Sequence, residues 1–411
     1  MKVAFLAPEF YNAWGGVGTY SIELIKNLSR IKDVELHVIT PDIDNVEKKK
    51  LINSKFSSAC QIHTLSKSKD TFFYNLKFQT AVLKGFNRLS KKYNFDILHS
   101  ANLVHMPDVF LKFRKLEMPS VVTAHTTING QIKGTLKGNI NPLTMALSEK
   151  MSVLSYPLIR LLEWHYLRNT NNIISVSNKS KNFLHDNYNF GGEIKVIHNG
   201  IDVSWFNYGK ISRHDCTEKF PVLENINKPI ILFAGRLMNQ KGIDVFIKAI
   251  SILEKRKLDF FCVIAGRGNH KRLHQLIQKH KINRSNICYL GYVENDDLAF
   301  LYRLSSIFVL PSYYENFPIS LLEAMSMKCS CIATRVGAVD EIIDGKKNGL
   351  IISPGDHERL ADCIEFLLSN PYQSRTIAEN GRKKVLANFT SEIMAQKTKE
   401  FYECILQANQ N

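Results

Sequence analysis

The sequence predicts an α/β protein built from two doubly wound, parallel-stranded domains, and three observations carry that expectation. Its 411 residues exceed what a single hydrophobic core supports. Short apolar runs alternate with longer helical patterns along the whole chain, which requires crossover connections and therefore parallel pairing. Around 203–229 the alternation gives way to a polar, aromatic-spotted segment ending at Pro229, as an interdomain linker or an opening loop would, and then it restarts.

The elements follow in order. VAFLA (3–7) leads into a Gly-rich turn and the helix-like TYSIELIKNLSRI. Next come VELHVIT (34–40), a polar loop, a helical stretch near 72–92, FDILHS (95–100), PSVVTAH (119–125), NNIISVS (171–177) and IKVIHNG (194–200). The second series is PIILFAG (229–235), DFFCVIAG (259–266), NICYLGYV (286–293), SIFVLPS (306–312), CSCIATR (329–335) and GLIIS (349–353). A last helix starts at Thr390 or Ser391, either a good N-cap, and runs to about Leu406. The domains expected are 1–203 and 204–388, with 389–411 as the closing helix. Two such Rossmann-like domains facing each other would place ligands in a cleft at the carboxyl ends of both sheets.

Composition narrows the class. With 45% hydrophobic and 22% charged residues the chain is neither disordered nor collagen-like. No run of eighteen apolar residues supports a membrane-spanning helix. The apolar run before Pro8 is too short for a signal peptide and reads as the first strand. Eight cysteines are scattered without a CxxC pair, and Cys329-Ser-Cys331 has no second pair to complete a zinc site. Reduced, buried thiols of a cytoplasmic protein are expected.

The net charge is +16, and it is uneven: residues 1–200 hold 26 Lys/Arg against 15 Asp/Glu, with 51–100 alone holding 8 against 2. Such an excess suits nucleic acid, an anionic membrane surface or phosphorylated substrates. Helix-turn-helix, RNP-like and finger signatures are all missing, which argues against nucleic acid. Residues 130–168 separate two strands by more than an ordinary crossover and mix Leu, Met, Trp and Tyr with Lys133, Lys137, Lys150, Arg160 and Arg168. They read either as a basic amphipathic surface resting on lipid headgroups or as helices packing the domain's own core.

Several constellations carry chemistry. Gly15-Gly16-Val17-Gly18 follows the first strand and opens a helix, where bare backbone can approach a phosphate. Arg236 and Lys241 flank the turn after PIILFAG, and a bidentate Arg beside a Lys point charge neutralises a diphosphate without a metal. In ENFPISLLE, Glu315 and Glu323 bracket seven residues. Pro318 suits the first helical position, so Glu315 lies on the loop and Glu323 inside the helix. The N–H groups of Ile319, Ser320 and Leu321 should then be unpaired and turned toward an anion. Two carboxylates suit the hydroxyls of a sugar and a ribose, and the amides suit phosphate. His125 ends PSVVTAH at the carboxyl edge of the first sheet, placed to donate or act as a base. His99 holds the equivalent edge after FDIL and reads as structural. Asp42-Ile43-Asp44 is a DxD, which elsewhere holds manganese, but here it reads as a polar surface loop.

Taken together, GGVG, His125, VIHNGID, FAGRLMNQKGID, VIAGRG, LGYV and ENFPISLLE resemble glycosyltransferase family 4, the retaining nucleotide-sugar transferases of GT-B fold, over nearly the whole chain. The resemblance implies that Gly16 contacts the distal phosphate, that Arg236 and Lys241 clamp the diphosphate, and that Glu315 meets the donor sugar beside the backbone amides of Asn316 and Phe317. Glu323 would hold the ribose. The backbone at Val293 would read the base, Gly266 to Gly268 would wall its pocket, and His125 would stand near donor sugar and acceptor. The last helix would cross back to the first domain. Two departures, His198 in VIHNGID and GAVDE (337–341), fall outside the Arg–Lys clamp. The resemblance also implies front-face attack, in which the leaving phosphate takes the acceptor's proton and no metal or other cofactor is used.

The function expected is transfer of a hexose from a UDP- or GDP-sugar to a saccharide or lipid-linked acceptor in polysaccharide, lipopolysaccharide, capsule or glycolipid synthesis. It would take place in the cytoplasm, with peripheral contact to an anionic membrane at the inner face. The alternatives are a sugar-nucleotide epimerase of the same fold and, in another class, a basic nucleic-acid-binding protein.

Overall fold

The structure is a computed structural model and describes residues 1–11, 15–56, 59–68, 74–114, 116–130 and 156–409. Thirteen strands among them build two sheets. The strands β1 (Lys2–Leu6), β2 (Glu35–Ile43), β3 (Gln61–Ser68), β4 (Ile97–Ser100), β5 (Ser120–Ala124), β6 (Asn172–Ser175) and β7 (Glu193–Val196) form the first, in the order β3-β2-β1-β4-β5-β6-β7. The second takes β8 (Ile230–Ala234), β9 (Phe261–Ala265), β10 (Ile287–Gly291), β11 (Ile307–Leu310), β12 (Ser330–Thr334) and β13 (Leu350–Ile352), in the order β10-β9-β8-β11-β12-β13. Every pairing is parallel. All residues of β8, β9, β11 and β12 are buried, as continuous apolar strands covered on both faces must be.

The chain divides into two compact units. One takes the described residues up to Gly200 together with those from Ser391 onward, and the other runs from Ile201 to Thr390. The final helix, Ser391–Ala408, packs on the helix Gly16–Leu28 of the first unit and buries Phe401, Tyr402 and Ile405. The two passages between units lie side by side: Ile201 bridges Thr390, and its N–H donates to the Phe389 carbonyl at 3.0 Å.

The structure corrects the sequence in several places. The polar loop expected after VELHVIT holds the helix Val46–Phe56 and the strand β3. Asp42 of the DxD lies within β2 and is ion-paired to Lys49 at 2.5 Å. Residues 203–229 are not an open linker. A capping box of Ser212 and Asp215 starts the helix Arg213–Lys219, which packs on the helix Leu298–Leu304 of the second unit. Of the expected 130–168 surface, residues 131–155 with Lys133, Lys137 and Lys150 lie outside the described residues, and Tyr156–Arg168 is helical. All eight cysteines are free thiols, but Cys404 is exposed and Cys60 and Cys288 are half-buried. No described helix is long and apolar enough to cross a membrane.

Candidate active site

In the second sheet the strand order reverses between β8 and β11, and the loops leaving their carboxyl ends converge. Gly242 makes the approach possible. It adopts φ +69°, and a Cβ there would lie 2.0 Å from the Pro311 carbonyl oxygen. The Tyr313 N–H then donates to the Gln240 carbonyl at 2.8 Å. This seam brings two of the predicted residues together across 74 positions: Lys241 Nζ donates to Glu315 Oε1 at 2.6 Å. Ser312 Oγ donates to the same oxygen at 2.7 Å. Glu315 is 10% and Lys241 21% exposed, so the pair is shielded but reachable. Arg236, on the loop leaving β8, is exposed and has no ion pair among the described residues.

Glu315 leads into the helix Ile319–Ser326, whose first residue follows Pro318 as N-cap rather than including it. The helix is anchored at its far end, where the Arg382 guanidinium donates to the Ser326 carbonyl and Ser326 Oγ donates to the Phe206 carbonyl at 2.7 Å. One expectation fails here. The Leu321 N–H donates to the Pro318 carbonyl at 3.2 Å, because the first turn tightens, so of the three amides expected to be unpaired Ile319 and Ser320 are left without a backbone acceptor among the described residues. Glu323 is buried inside the helix, where Oε2 accepts from the Tyr302 hydroxyl at 3.1 Å. The Asn316 side-chain nitrogen is buried without an acceptor among the described residues. Gly337, at φ +53°, sits where a Cβ would strike the Glu315 and Asn316 carbonyls, and the Ala338 N–H donates to the Asn316 carbonyl at 2.7 Å. The GAVDE departure therefore supports the Glu315 loop directly.

Beside β8, Gly266 takes φ +145° with its Cβ position 1.8 Å from the Gly235 carbonyl oxygen, and its N–H donates to the Gly291 carbonyl at 2.6 Å. The loops after β8, β9 and β10 are thus tied in a row. Val293 follows β10, half-buried, next to Tyr292, whose ring lies 3.6 Å from the Arg267 guanidinium.

Gly16 and His125 belong to the first unit. Gly16 opens its helix with Gly15 as an extended N-cap and no acidic residue in the first turn, so the dipole end is uncompensated. His125 stands just past β5, its ring edge-on to Tyr20 at 4.3 Å. Burial lowers its pKa to about 3, with a backbone hydrogen bond at Ala101 opposing the shift, so the imidazole is neutral at physiological pH. Its Nε2 is buried without a partner among the described residues. His99 is structural, as expected: it bonds Tyr402 of the last helix and, at 2.7 Å, Thr123.

No group of three or more His, Cys, Asp or Glu side chains able to hold a metal occurs among the described residues. Sequence reasoning missed Ser312, Tyr302, Gln240 and the Arg267–Tyr292 stack. The serine was visible three residues before Glu315, but the other contacts join segments far apart in sequence.

Residues 216–384 match the glycosyl transferases group 1 family, and residues 14–205 match Glycosyltransferase Family 4. The chain belongs to glycosyltransferase family 4. This family 4 glycosyltransferase is 27% identical over 408 residues to an uncharacterized glycosyltransferase of Methanocaldococcus jannaschii, covering 98% of each chain. It is 26% identical over 336 residues to the capsular polysaccharide biosynthesis glycosyltransferase CapM of Staphylococcus aureus, covering 77% of this chain and 84% of that one. Its fold matches that of Anabaena HepE, solved in complex with UDP-glucose, at a TM-score of 0.72 and 18% identity, over 98% of this chain and all of the other. Both sheets of this family 4 glycosyltransferase accord with the GT-B architecture of such proteins. Family membership decides against the epimerase and the nucleic-acid-binding alternatives.

Proposed function

We propose that this glycosyltransferase moves a hexose from a UDP- or GDP-sugar to a saccharide or lipid-linked saccharide, with retention at the anomeric carbon and without a metal, in polysaccharide or glycolipid synthesis. The observation that carries the reading is the Lys241–Glu315 pair at the strand-order reversal, with Arg236 exposed on the loop that runs from β8 toward Lys241. A departing nucleoside diphosphate gathers negative charge, which Arg236 and Lys241 offset electrostatically. Glu315 accepts from donor-sugar hydroxyls, and the N–H groups of Ile319 and Ser320 face phosphate. The unpartnered Asn316 amide reaches the same donor. Glu323 binds the ribose, and the base lies against the backbone of Val293 and Gly266.

On the acceptor side, Gly16 offers its backbone to the distal phosphate, and His125 Nε2 meets an acceptor hydroxyl. An imidazole with a pKa near 3 is a poor base at neutral pH, which leaves the departing phosphate oxygen to take the acceptor's proton. The UDP-glucose in HepE favours a uridine donor, and CapM favours a polysaccharide product. Leu158, Leu161 and Trp164 are exposed on the helix Tyr156–Arg168, with the Arg168 guanidinium 3.9 Å from the Trp164 ring. This row supports peripheral contact with an anionic membrane at its cytoplasmic face.

A thermal-shift panel of UDP, GDP, ADP and their sugar conjugates, with and without chelator, tests the core of this reading. A ligand at a hundred times its Kd adds about 2.7 kcal/mol of stability. One nucleotide family should stabilise wild type regardless of chelator, and Arg236→Ala should lose the effect. Silence across the panel, or a shift only with divalent metal, would sink it.

A further inference from the structure

The second unit carries a cavity of about 570 Å³ away from the Lys241–Glu315 seam, lined by Trp205, Lys210, Asp215, Glu218, Lys219 and Phe300 among others. That volume lies within the range of small-molecule sites, about 300–1,000 Å³. Trp205 is 44% exposed, yet it is held from several sides. Asp202 Oδ1 accepts the N–H groups of Ser204 and Trp205 at 2.9 and 3.2 Å, and the indole N–H donates to the Asp296 carbonyl at 3.2 Å. Phe300 meets the indole edge-on at 6.5 Å. The loop that continues from it is braced in turn: Arg303 Nε donates to the Ile211 carbonyl at 2.9 Å and the guanidinium lies 4.0 Å from the Tyr208 ring. A tryptophan fixed in place while much of its surface stays in water has already lost the freedom that binding would cost it.

The charges in the cavity discriminate among ligands. Two cations, Lys210 and Lys219, stand against two carboxylates, Asp215 and Glu218. Lys219 is ion-paired to Asp297 at 2.9 Å, and Asp215 Oδ2 accepts the Ser212 N–H at 2.8 Å. Lys210 and Glu218 have no ion pair among the described residues, one of each sign. A phosphorylated or nucleotide ligand wants an excess of cations, and this cavity has none. A neutral ligand with many hydroxyls fits instead: Glu218 accepts hydroxyls, Lys210 donates to ring or hydroxyl oxygens, and the weakly positive C–H face of a pyranose lies on the negative face of the indole.

We propose that this cavity is a second saccharide site, separate from the donor site, that holds a neutral stretch of the growing glycan. The choice of ligand class rests on the proposed transferase reaction, whose acceptor and product are saccharides.

The test is retention of the full-length protein on immobilised neutral and acidic oligosaccharides, comparing wild type, Trp205→Ala, Trp205→Phe and Arg236→Ala. At least one neutral oligosaccharide should retain wild type and Arg236→Ala equally. Trp205→Ala should bind it about tenfold more weakly, since one aromatic stacking contact is removed, and Trp205→Phe should recover part of the loss. Nucleotide-induced shifts of the Trp205 variants should match wild type. The proposal is overturned if no neutral oligosaccharide is retained, if only acidic ones are, if Trp205→Ala binds like wild type, or if Arg236→Ala abolishes retention. Trp205-dependent retention combined with a silent nucleotide panel would count against the donor reading and leave this site standing.

Discussion

Replacing Lys241 with Met keeps the side-chain stem and removes only the ammonium. Glu315, 10% exposed, is then left with the Ser312 hydroxyl as its remaining side-chain donor. Breaking a fully buried pair costs about 3–5 kcal/mol and breaking an exposed one almost nothing. With Lys241 itself 21% exposed, solvent screens part of the loss, and a cost of about 2 kcal/mol is expected. For a cooperative unit of this size each kcal/mol lowers the melting midpoint by about 2–4 °C, so Lys241→Met should melt roughly 4–8 °C early. Glu315→Gln removes the charge that Lys241 leaves stranded, so the double variant should recover at least about 1 kcal/mol over the sum of the singles. Turnover tests the other half of the argument. Losing one preorganised charge that stabilises the leaving diphosphate lowers kcat by about 10²–10³. Calorimetry on the four proteins of the cycle and steady-state kinetics on the single variant check both. Additive melting shifts would show that the 2.6 Å contact does not couple the two residues, and turnover within threefold of wild type would remove Lys241 from the chemistry.

Three further outcomes follow from the geometry. His99 and His125 have pKa values lowered to about 3, and His105 to about 4, each chiefly by burial. Their unfolded forms take up protons below about pH 6.5 while the native forms do not, so their stability contribution is complete above that pH and falls as the pH drops toward 3 to 4. Unfolding free energies from urea titrations at pH 7.5 and 5.5 should differ by about 1 kcal/mol per histidine, and identical values would contradict their burial. Gly266→Ala places a methyl 1.8 Å from the Gly235 carbonyl oxygen at a positive φ. It should cost about 1–3 kcal/mol in backbone strain alone and raise the donor KM; a normal KM would detach the loops after β8 and β9 from donor binding. His125→Ala should leave nucleotide-induced thermal shifts intact while slowing transfer by about 10²-fold through lost positioning of the acceptor hydroxyl, and equal loss of both would mean the residue only holds its unit together.

The strands most plainly legible in the sequence are those buried on both faces, where an apolar run has no other use, and the half-exposed edge strands β7 and β10 were still betrayed by IKVI and ICYL. IILFA and FCVIA are continuous because helices cover both sides of their sheet. β3 stayed hidden because QIHTLSKS sits at the sheet edge with much of its length half-exposed, and its polar residues read as loop. The helix Arg213–Lys219 was masked by its polarity, although Ser212 and Asp215 spelled its capping box. In the site, Glu315 and Glu323 could be placed because eight positions along one loop and helix is a local matter. That Lys241 would spend its charge on Glu315, or that Tyr302 would hold Glu323, depends on which strands become neighbours. The short apolar runs do not encode that order. The tightened first turn at Leu321 was equally out of reach, since Pro318 at the N-cap rather than at the first helical position is a difference of one residue.

The last helix gives the protein a fixed order of completion on the ribosome. His99 and the helix Gly16–Leu28 emerge early, yet Tyr402 and the face of Ser391–Ala408 that cover them are made only after the second unit. At about 5–20 residues per second, translating Ile201–Thr390 takes roughly 10–40 s. The described residues of the second unit are continuous in sequence and can close while they are being made. The first must wait with part of its apolar surface bare until Ser391–Ala408 has been translated. A fragment ending near Gly200 would therefore remain uncovered on that surface however long it was given, and premature stop codons even in the final helix would damage the unit that was synthesised first.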